Sequence, residues 1–239
     1  MKTNKTLIWA HRGASGLVPF ENTIDAFQKA IDVKADGIEL DIRKTQDGVI
    51  IVNHNRDVCG QIIAEHTYEE LKETAKNAGW SLATFEETLA YCQGKIFLDI
   101  EFKEAGYEQE ALDMILKYYK LDEFNIRSFV KEALINLHNI NKDVHTILLM
   151  CPKGGKKRNA LPVIFPKKQI KETYSHGVSP HFKAIMFGYT NRMHRHGWDV
   201  SPWTVNNEED MKKMLKKHVD MIVTNYPDKA LALRDEIQK

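Results

Sequence analysis

Short β-rich runs separated by longer helical patterns repeat down the whole chain, and this alternation restricts the fold more than any other feature, because strands joined by helix-length connections pair in parallel. The runs are 6–10, 37–43, 96–102, 124–129, 144–150, 178–182, 200–204 and 221–224. Helical patterns lie between them at 23–33, 67–77, 84–92, 107–119, 131–140, 167–174, 187–196 and 208–217. Thr67 with Glu70, and Thr84 with Glu87, have the Ser/Thr-x-x-Glu spacing of a capping box. Eight such units in 239 residues, with no Gly-x-Gly-x-x-Gly after any strand, fit a closed (β/α)8 TIM barrel, an α/β fold, better than an open doubly wound sheet. No linker interrupts the pattern, so 1–239 reads as one domain.

One segment breaks the alternation. Residues 38–45 and 49–54 are both strand-like, yet only Gln46, Asp47 and Gly48 separate them, too few for a parallel crossover. They form a small hairpin extension after the second strand. A turn centred on Gln46 and Asp47 sets Asp41 across from Val52 and Glu39 across from His54, and a bulge at Gly48 would move that register by one residue.

A net charge of +1 excludes a general polyanion binder, so no nucleic-acid partner is expected. Cys59, Cys92 and Cys151 are far apart and in no metal or redox spacing. The apolar start at 6–10 is too short for a signal core or membrane span, which makes a cytoplasmic location the default. Oligomeric state is not legible.

Barrel sites sit at the C-terminal ends of the strands, which nominates His11 and Arg12 after the first strand, and Glu101 and Lys103 at the end of the third. The hairpin projects from the same end and brings Glu39, Asp41 and His54 there. Period two places Asp99, Glu101 and Lys103 on one face, where charges are costly unless paired or bound to a ligand. Glu39, Asp41 and Glu101 offer the oxygen ligands that suit Mg²⁺ or Ca²⁺ better than zinc. With Arg12 and Lys103 such an ion can neutralise a phosphodiester, while two histidines titrating near neutrality supply base and acid. That set reads as phosphoryl transfer.

Ala10-His-Arg-Gly-Ala-Ser-Gly16, Glu21-Asn-Thr-Ile-Asp-Ala-Phe27, Gly37-Ile-Glu-Leu-Asp-Ile42 with Thr45-Gln-Asp-Gly48, and Ile100-Glu-Phe-Lys103 resemble, in order, the signatures of glycerophosphodiester phosphodiesterases. Arg127-Ser-Phe129, Pro202-Trp-Thr-Val-Asn206 and Val219-Asp-Met-Ile-Val-Thr-Asn-Tyr-Pro-Asp228 continue the match. The resemblance implies metal ligation by Glu39, Asp41 and Glu101, acid/base roles for His11 and His54, phosphate contacts from Arg12 and Lys103, and Trp203 at the substrate mouth. It implies hydrolysis of a small glycerophosphodiester to sn-glycerol 3-phosphate and an alcohol, through attack by the glycerol 2-hydroxyl or directly by water. Three departures stand out: Asn55 replaces the family's usual aspartate, Phe20 is an extra residue before Glu21-Asn-Thr23, and Asn225, close to a position that is often aspartate, is taken as a tolerated variant.

Other features have plainer readings. Trp203 is equally a packing residue, Ser128 is structural by default, Asp99 is a ligand's partner or barrel filler, and His194 and His196 sit where cations complement a helix end. The segment 153–168 combines Lys153, Lys156, Lys157 and Arg158 with an apolar run, so it is either a solvated lid or a weak membrane-surface or acyl-chain contact. The rival functions are a lysophospholipase D using the same site and a barrel that binds a phosphodiester without cleaving it.

Overall fold

In the computed structural model, which describes residues 5–152, 160–186 and 188–239, strands and helices alternate as the sequence requires. The first part runs β1 (Leu7–His11), α1 (Ile24–Asp32), β2 (Gly37–Lys44), β3 (Ile50–Val52), β4 (Asp57–Val58), β5 (Gln61–Ile62), α2 (Tyr68–Asn77) and α3 (Phe85–Cys92). Next come β6 (Phe97–Phe102), α4 (Glu108–Tyr118), β7 (Phe124–Ser128), α5 (Lys131–Ile140) and β8 (Thr146–Met150). The chain ends with α6 (Leu161–Ile164), α7 (Lys167–Glu172), β9 (Gly177–Pro180), α8 (Tyr189–His194), β10 (Asp199–Val200), α9 (Glu208–Lys216), β11 (Met221–Thr224) and α10 (Pro227–Ile237).

Eight strands pair in the order β10-β9-β8-β7-β6-β2-β1-β11, every pair parallel. Backbone bonds close the ring: Asp220 N–H donates to Val200 O (3.0 Å), Val223 N–H to Pro202 O (3.1 Å) and Val205 N–H to Val223 O (2.9 Å). The architecture is the (β/α)8 barrel expected. β9 and β10 stop at or just before Pro180 and Pro202, residues with no N–H to extend a ladder, and are shorter than the sequence pattern suggested. Thr67 and Thr84 make their capping boxes, each worth about 1 kcal/mol. The alternation missed α10, whose start is marked by Pro227 in the first turn followed by Asp228.

Strand parity sorts side chains between two environments. Ile38, Leu40 and Ile42 of β2, with Leu98, Ile100 and Phe102 of β6, pack outward against Phe27, Phe85 and Leu89 in one apolar layer. The other parity points into the barrel. Its floor holds Trp9, Ile147, Met221 and Val223, with Trp9 stacked on Phe97 at 5.0 Å. Gly37 lies between these two rings in the register, and a Cβ there would come within 2.3 Å of Trp9, so only glycine permits the stack. Above the floor, Arg127 forms an ion pair with Asp99 and donates to Ser179 (3.3 Å) and Ser201 (3.1 Å), all four buried.

The hairpin after β2 is present, shifted by one residue from the symmetric register: Ile42 pairs with Val52. Thr45 and Val49 close a three-residue loop, with Gly48 in the left-handed region at φ 89°. Thr45 Oγ1 donates to Asp47, which also accepts from Tyr68 N–H, so the turn is tied to α2. The basic cluster 153–158 lies outside the described residues. No helix among the described residues is long and apolar enough to cross a membrane.

Breaking the Asp99–Arg127 pair strands a buried guanidinium. Asp99→Ala should therefore lose about 3–5 kcal/mol of unfolding free energy in urea titrations. A loss below about 1 kcal/mol would mean that the barrel interior solvates Arg127 without it.

Candidate active site

β1 delivers His11 to the barrel mouth, and the chain then turns sharply through Arg12 (φ 55°) and Gly13 (φ 78°). That turn is held to the neighbouring strand, because Arg12 N–H donates to the Glu39 carboxylate (3.1 Å) and Gly13 N–H to the Glu39 backbone carbonyl (3.3 Å). Register places His11 beside Glu39, and Asp41 beside Glu101. One carboxylate oxygen from each of Glu39, Asp41 and Glu101 falls within 4.8 Å of the others, all three residues buried. Lys103 Nζ bridges two of them, 2.6 Å from Glu101 and 3.0 Å from Asp41. Arg12 lies 3.4 Å from Asp41 and 2.7 Å from Glu21 at the rim.

A cavity of about 110 Å³ opens among His11, Arg12, Glu39, His54, Glu101 and Lys103, with Trp203 and Phe129 forming a further wall. Asp41 sits behind it, so all eight residues nominated from sequence meet at one end of the barrel. Trp203 donates from Nε1 to Ser179 O (2.9 Å) and meets the Phe129 ring edge-on at 5.4 Å. The remaining candidates are structural: Ser128 caps the loop after β7, Asp99 pairs with Arg127, and His194 pairs with Asp220 at 2.7 Å.

Electrostatics divide the acids. Burial raises Glu39 well above the usual carboxylate range, and the charge on Asp41 adds to the effect. Glu101 is pushed to about 7 by the same two causes. Burial also acts on Asp41, but Lys103, Arg12 and a hydrogen bond from Asn22 overcome it and hold it at about 2. Asp41 Oδ1 keeps a lone pair beyond its ion pair with Lys103 Nζ at 3.0 Å. Two acids driven towards protonation, an open oxygen lone pair and an all-oxygen donor set fit a hard divalent cation, whose bonds of about 2.0–2.6 Å put opposite ligands some 4–5 Å apart.

The histidines are both pushed towards neutrality. Burial lowers His11 to about 3, assisted by Arg12, and burial lowers His54, partly opposed by Asp41. His11 Nδ1 lies 2.6 Å from Asn225 Oδ1, a contact that puts the ring proton on Nδ1 and leaves Nε2 bare, 3.9 Å from Glu39. Asn225 is itself anchored, with its N–H bonded to Asn206 Oδ1 at 2.9 Å and its carbonyl accepting from Gly16 N–H. Asn225 is thus the partner of His11 and not an incidental variant. Its place one residue beyond β11 was the available signal. Asn55 makes the matching contact to His54 Nδ1 at 3.0 Å. Two further residues escaped sequence reasoning: Asn22, which bonds Asp41 at 2.9 Å, and Arg127, which reaches the cavity from below. The extra Phe20 is absorbed at the rim by stacking on Trp80, so Asn22 still reaches Asp41.

The model of the glycerophosphoryl diester phosphodiesterase family matches residues 11–229. A glycerophosphodiester phosphodiesterase of Bacillus subtilis is 31% identical, across 95% of this chain and 86% of that protein. One from Caldanaerobacter subterraneus is 32% identical, across 96% and 98%. The fold is shared with an Oleispira antarctica phosphodiesterase solved in complex with the product sn-glycerol-3-phosphate, at TM-score 0.82, 18% identity and 97% coverage of each chain.

The Asn225 contact fixes an observable property of the ring. In ¹⁵N NMR, His11 should be the Nδ1–H tautomer and remain neutral from about pH 8 to about pH 5, below the ordinary histidine value. Asn225→Asp adds a negative charge beside the ring and should move its titration upwards. A wild-type His11 titrating near 6.5 would contradict the assignment.

Proposed function

The chain belongs to the glycerophosphoryl diester phosphodiesterase family, and on that premise we propose that it hydrolyses glycerophosphodiesters to sn-glycerol 3-phosphate and an alcohol. The observation that carries this reading is the bare, neutral Nε2 of a histidine facing a cavity that also holds three carboxylates, an arginine and a lysine. Glu39, Asp41 and Glu101 would hold a divalent ion, Mg²⁺ or Ca²⁺, which supplies charge stabilisation to the phosphoryl group when bound.

The chain's own groups do the rest. Arg12 and Lys103 line the cavity and can donate to non-bridging phosphate oxygens, where charge builds in the transition state. His11 takes a proton at Nε2 from the attacking oxygen, whether that is the glycerol 2-hydroxyl or water. His54, nearer to solvent, takes up a proton there and, as the imidazolium, gives it to the departing alkoxide, while His11 releases its own proton to solvent after the step. Trp203 and Phe129 wall the mouth and keep bulk water from the reacting atoms.

One feature favours a second substrate class at the same site. Phe129 and Leu149 line both the catalytic cavity and a groove of about 1060 Å³ whose walls include Leu148, Met150, Leu161 and Phe165. An acyl chain on the glycerol would find apolar surface there, so lysophospholipids are the alternative.

Purified protein should release glycerol 3-phosphate from glycerophosphocholine with Mg²⁺ or Ca²⁺ and stop with chelator, and His11→Ala should cut the rate by about 10²–10⁴-fold. Faster turnover of 1-acyl-glycerophosphocholine would select the second class. No release from either would leave a barrel that only binds phosphodiesters.

Metal binding has a readout apart from activity. Glu101, raised to about 7 in the fold, favours the folded state below its unfolded value of 4.5, and this stability is lost as pH rises through 7. A divalent ion binds the ionised form, so its upward shift of the melting temperature should be larger above pH 7 than near pH 5. A pH-independent shift, or none, would count against the three-carboxylate site.

A further inference from the structure

His54 stands outside any ladder. β3 ends at Val52, and the irregular segment that follows is joined to β2 by one backbone bond, Asn53 N–H to Asp41 O at 3.0 Å. Asn53 braces the segment internally by donating to the Asn55 and Asp57 carbonyls at 2.9 and 3.2 Å. Among the described residues, the one hydrogen bond of the His54 ring is to its neighbour Asn55 at 3.0 Å. A side chain that must meet a phosphodiester to within a few tenths of an ångström therefore needs a stiffer support than its own loop provides.

Arg43 supplies it. Parity on β2 sets Arg43 on the same side as Glu39 and Asp41, one step closer to the rim, and it is buried there. Its Nε and Nη2 both donate to the backbone carbonyl of His54, at 3.0 and 2.9 Å, so a planar fork grips a single oxygen. The third direction of the guanidinium is fixed by an ion pair from Nη1 to Glu104. The Tyr107 hydroxyl, which donates to Ile42 O at 2.9 Å, lies 3.4 Å from the Glu104 carboxylate and bounds its position. With donors on all three nitrogens committed to protein acceptors, Arg43 is not arranged to hold phosphate, unlike Arg12 and Lys103, which line the cavity.

We propose that Arg43 is a positioning residue that holds His54 in reach of the substrate, through a strut running Glu104, Arg43 and the His54 carbonyl. The inference rests on the reading of His54 as an acid/base group. Lysine at 43 would keep the charge and the Glu104 pair but could not fork, so the geometry, not the charge, is what the site uses.

The test is a double-mutant cycle on metal-saturated enzyme with glycerophosphocholine, each variant checked for an unchanged melting curve. Arg43→Gln should lower kcat by about 10- to 100-fold with KM changed by less than about twofold, and Arg43→Lys should recover only part of the loss. In a His54→Ala background, Arg43→Gln should cost nothing further, because the group it positions is gone. An equal loss in both backgrounds, or full activity of Arg43→Gln, would overturn the inference. His54→Ala with wild-type activity would overturn instead the reading beneath it. Should Arg43→Gln fail to fold, Arg43→Lys carries the same cycle.

Discussion

Four carboxylates, Glu39, Asp41, Asp99 and Glu101, share the barrel interior with three cations, Arg12, Lys103 and Arg127, and the arrangement of the mouth follows from that imbalance. At low dielectric an unmatched charge is costly, so the fold pairs what it can. Asp99 takes Arg127, and Asp41 takes both Arg12 and Lys103 and is left strongly acidic. Glu39 and Glu101 receive what remains, and both are driven towards protonation. With Arg43 paired separately to Glu104, and with all four acids ionised as a bound cation would require, four negative against three positive leaves one negative charge. On the proposed reading a divalent ion turns that into one positive charge, which matches the single negative charge of a phosphodiester.

The barrel was largely legible because parallel strands and helices have different periods, and the difference survives even where each run is short. The register of the β2–β3 hairpin was not, since it turns on one glycine at φ 89° and a threonine that closes the loop with both backbone and hydroxyl. The ladder of β9 and β10 is interrupted near the prolines at 180 and 202 and resumes beyond them at His181 and Trp203, a break that hydrophobicity does not mark. The helix α10 escaped because its apolar positions are spread round its circumference. Its stabilising contacts are tertiary: Arg234 reaches Asp36, and Gln238 Nε2 donates to Thr6 and Leu215.

At the site, most of the charged residues were legible from strand ends and the hairpin, because ionisable groups at a barrel mouth need a purpose, and Arg127 was the exception. The asparagines were not. Asn22 and Asn225 have no such signature, and their importance lies in which atom they face, a fact only the folded chain contains. Arg43 is a different case: its charge was visible, but the parity that puts it beside Asp41 gives no hint that its partner would be a backbone carbonyl eleven residues on.

Three arginines, Arg127 and Arg43 buried and Arg12 half-buried, show how one side chain serves different ends according to where its donors point. Arg127 directs them to Asp99 and two serines and becomes part of the barrel, while Arg43 directs them to a carbonyl and a carboxylate and becomes a strut. Arg12 keeps its head at the cavity. The two asparagines beside the histidines obey the same charge constraint. A carboxylate at 55 or 225 would orient each ring equally well, but it would add negative charge to an interior already short of cations unless the ring were protonated. An amide sets the tautomer without that addition. Burial is what holds His11 neutral, and an amide beside it adds no charge to oppose that, with the bare nitrogen of His11 turned towards the cavity.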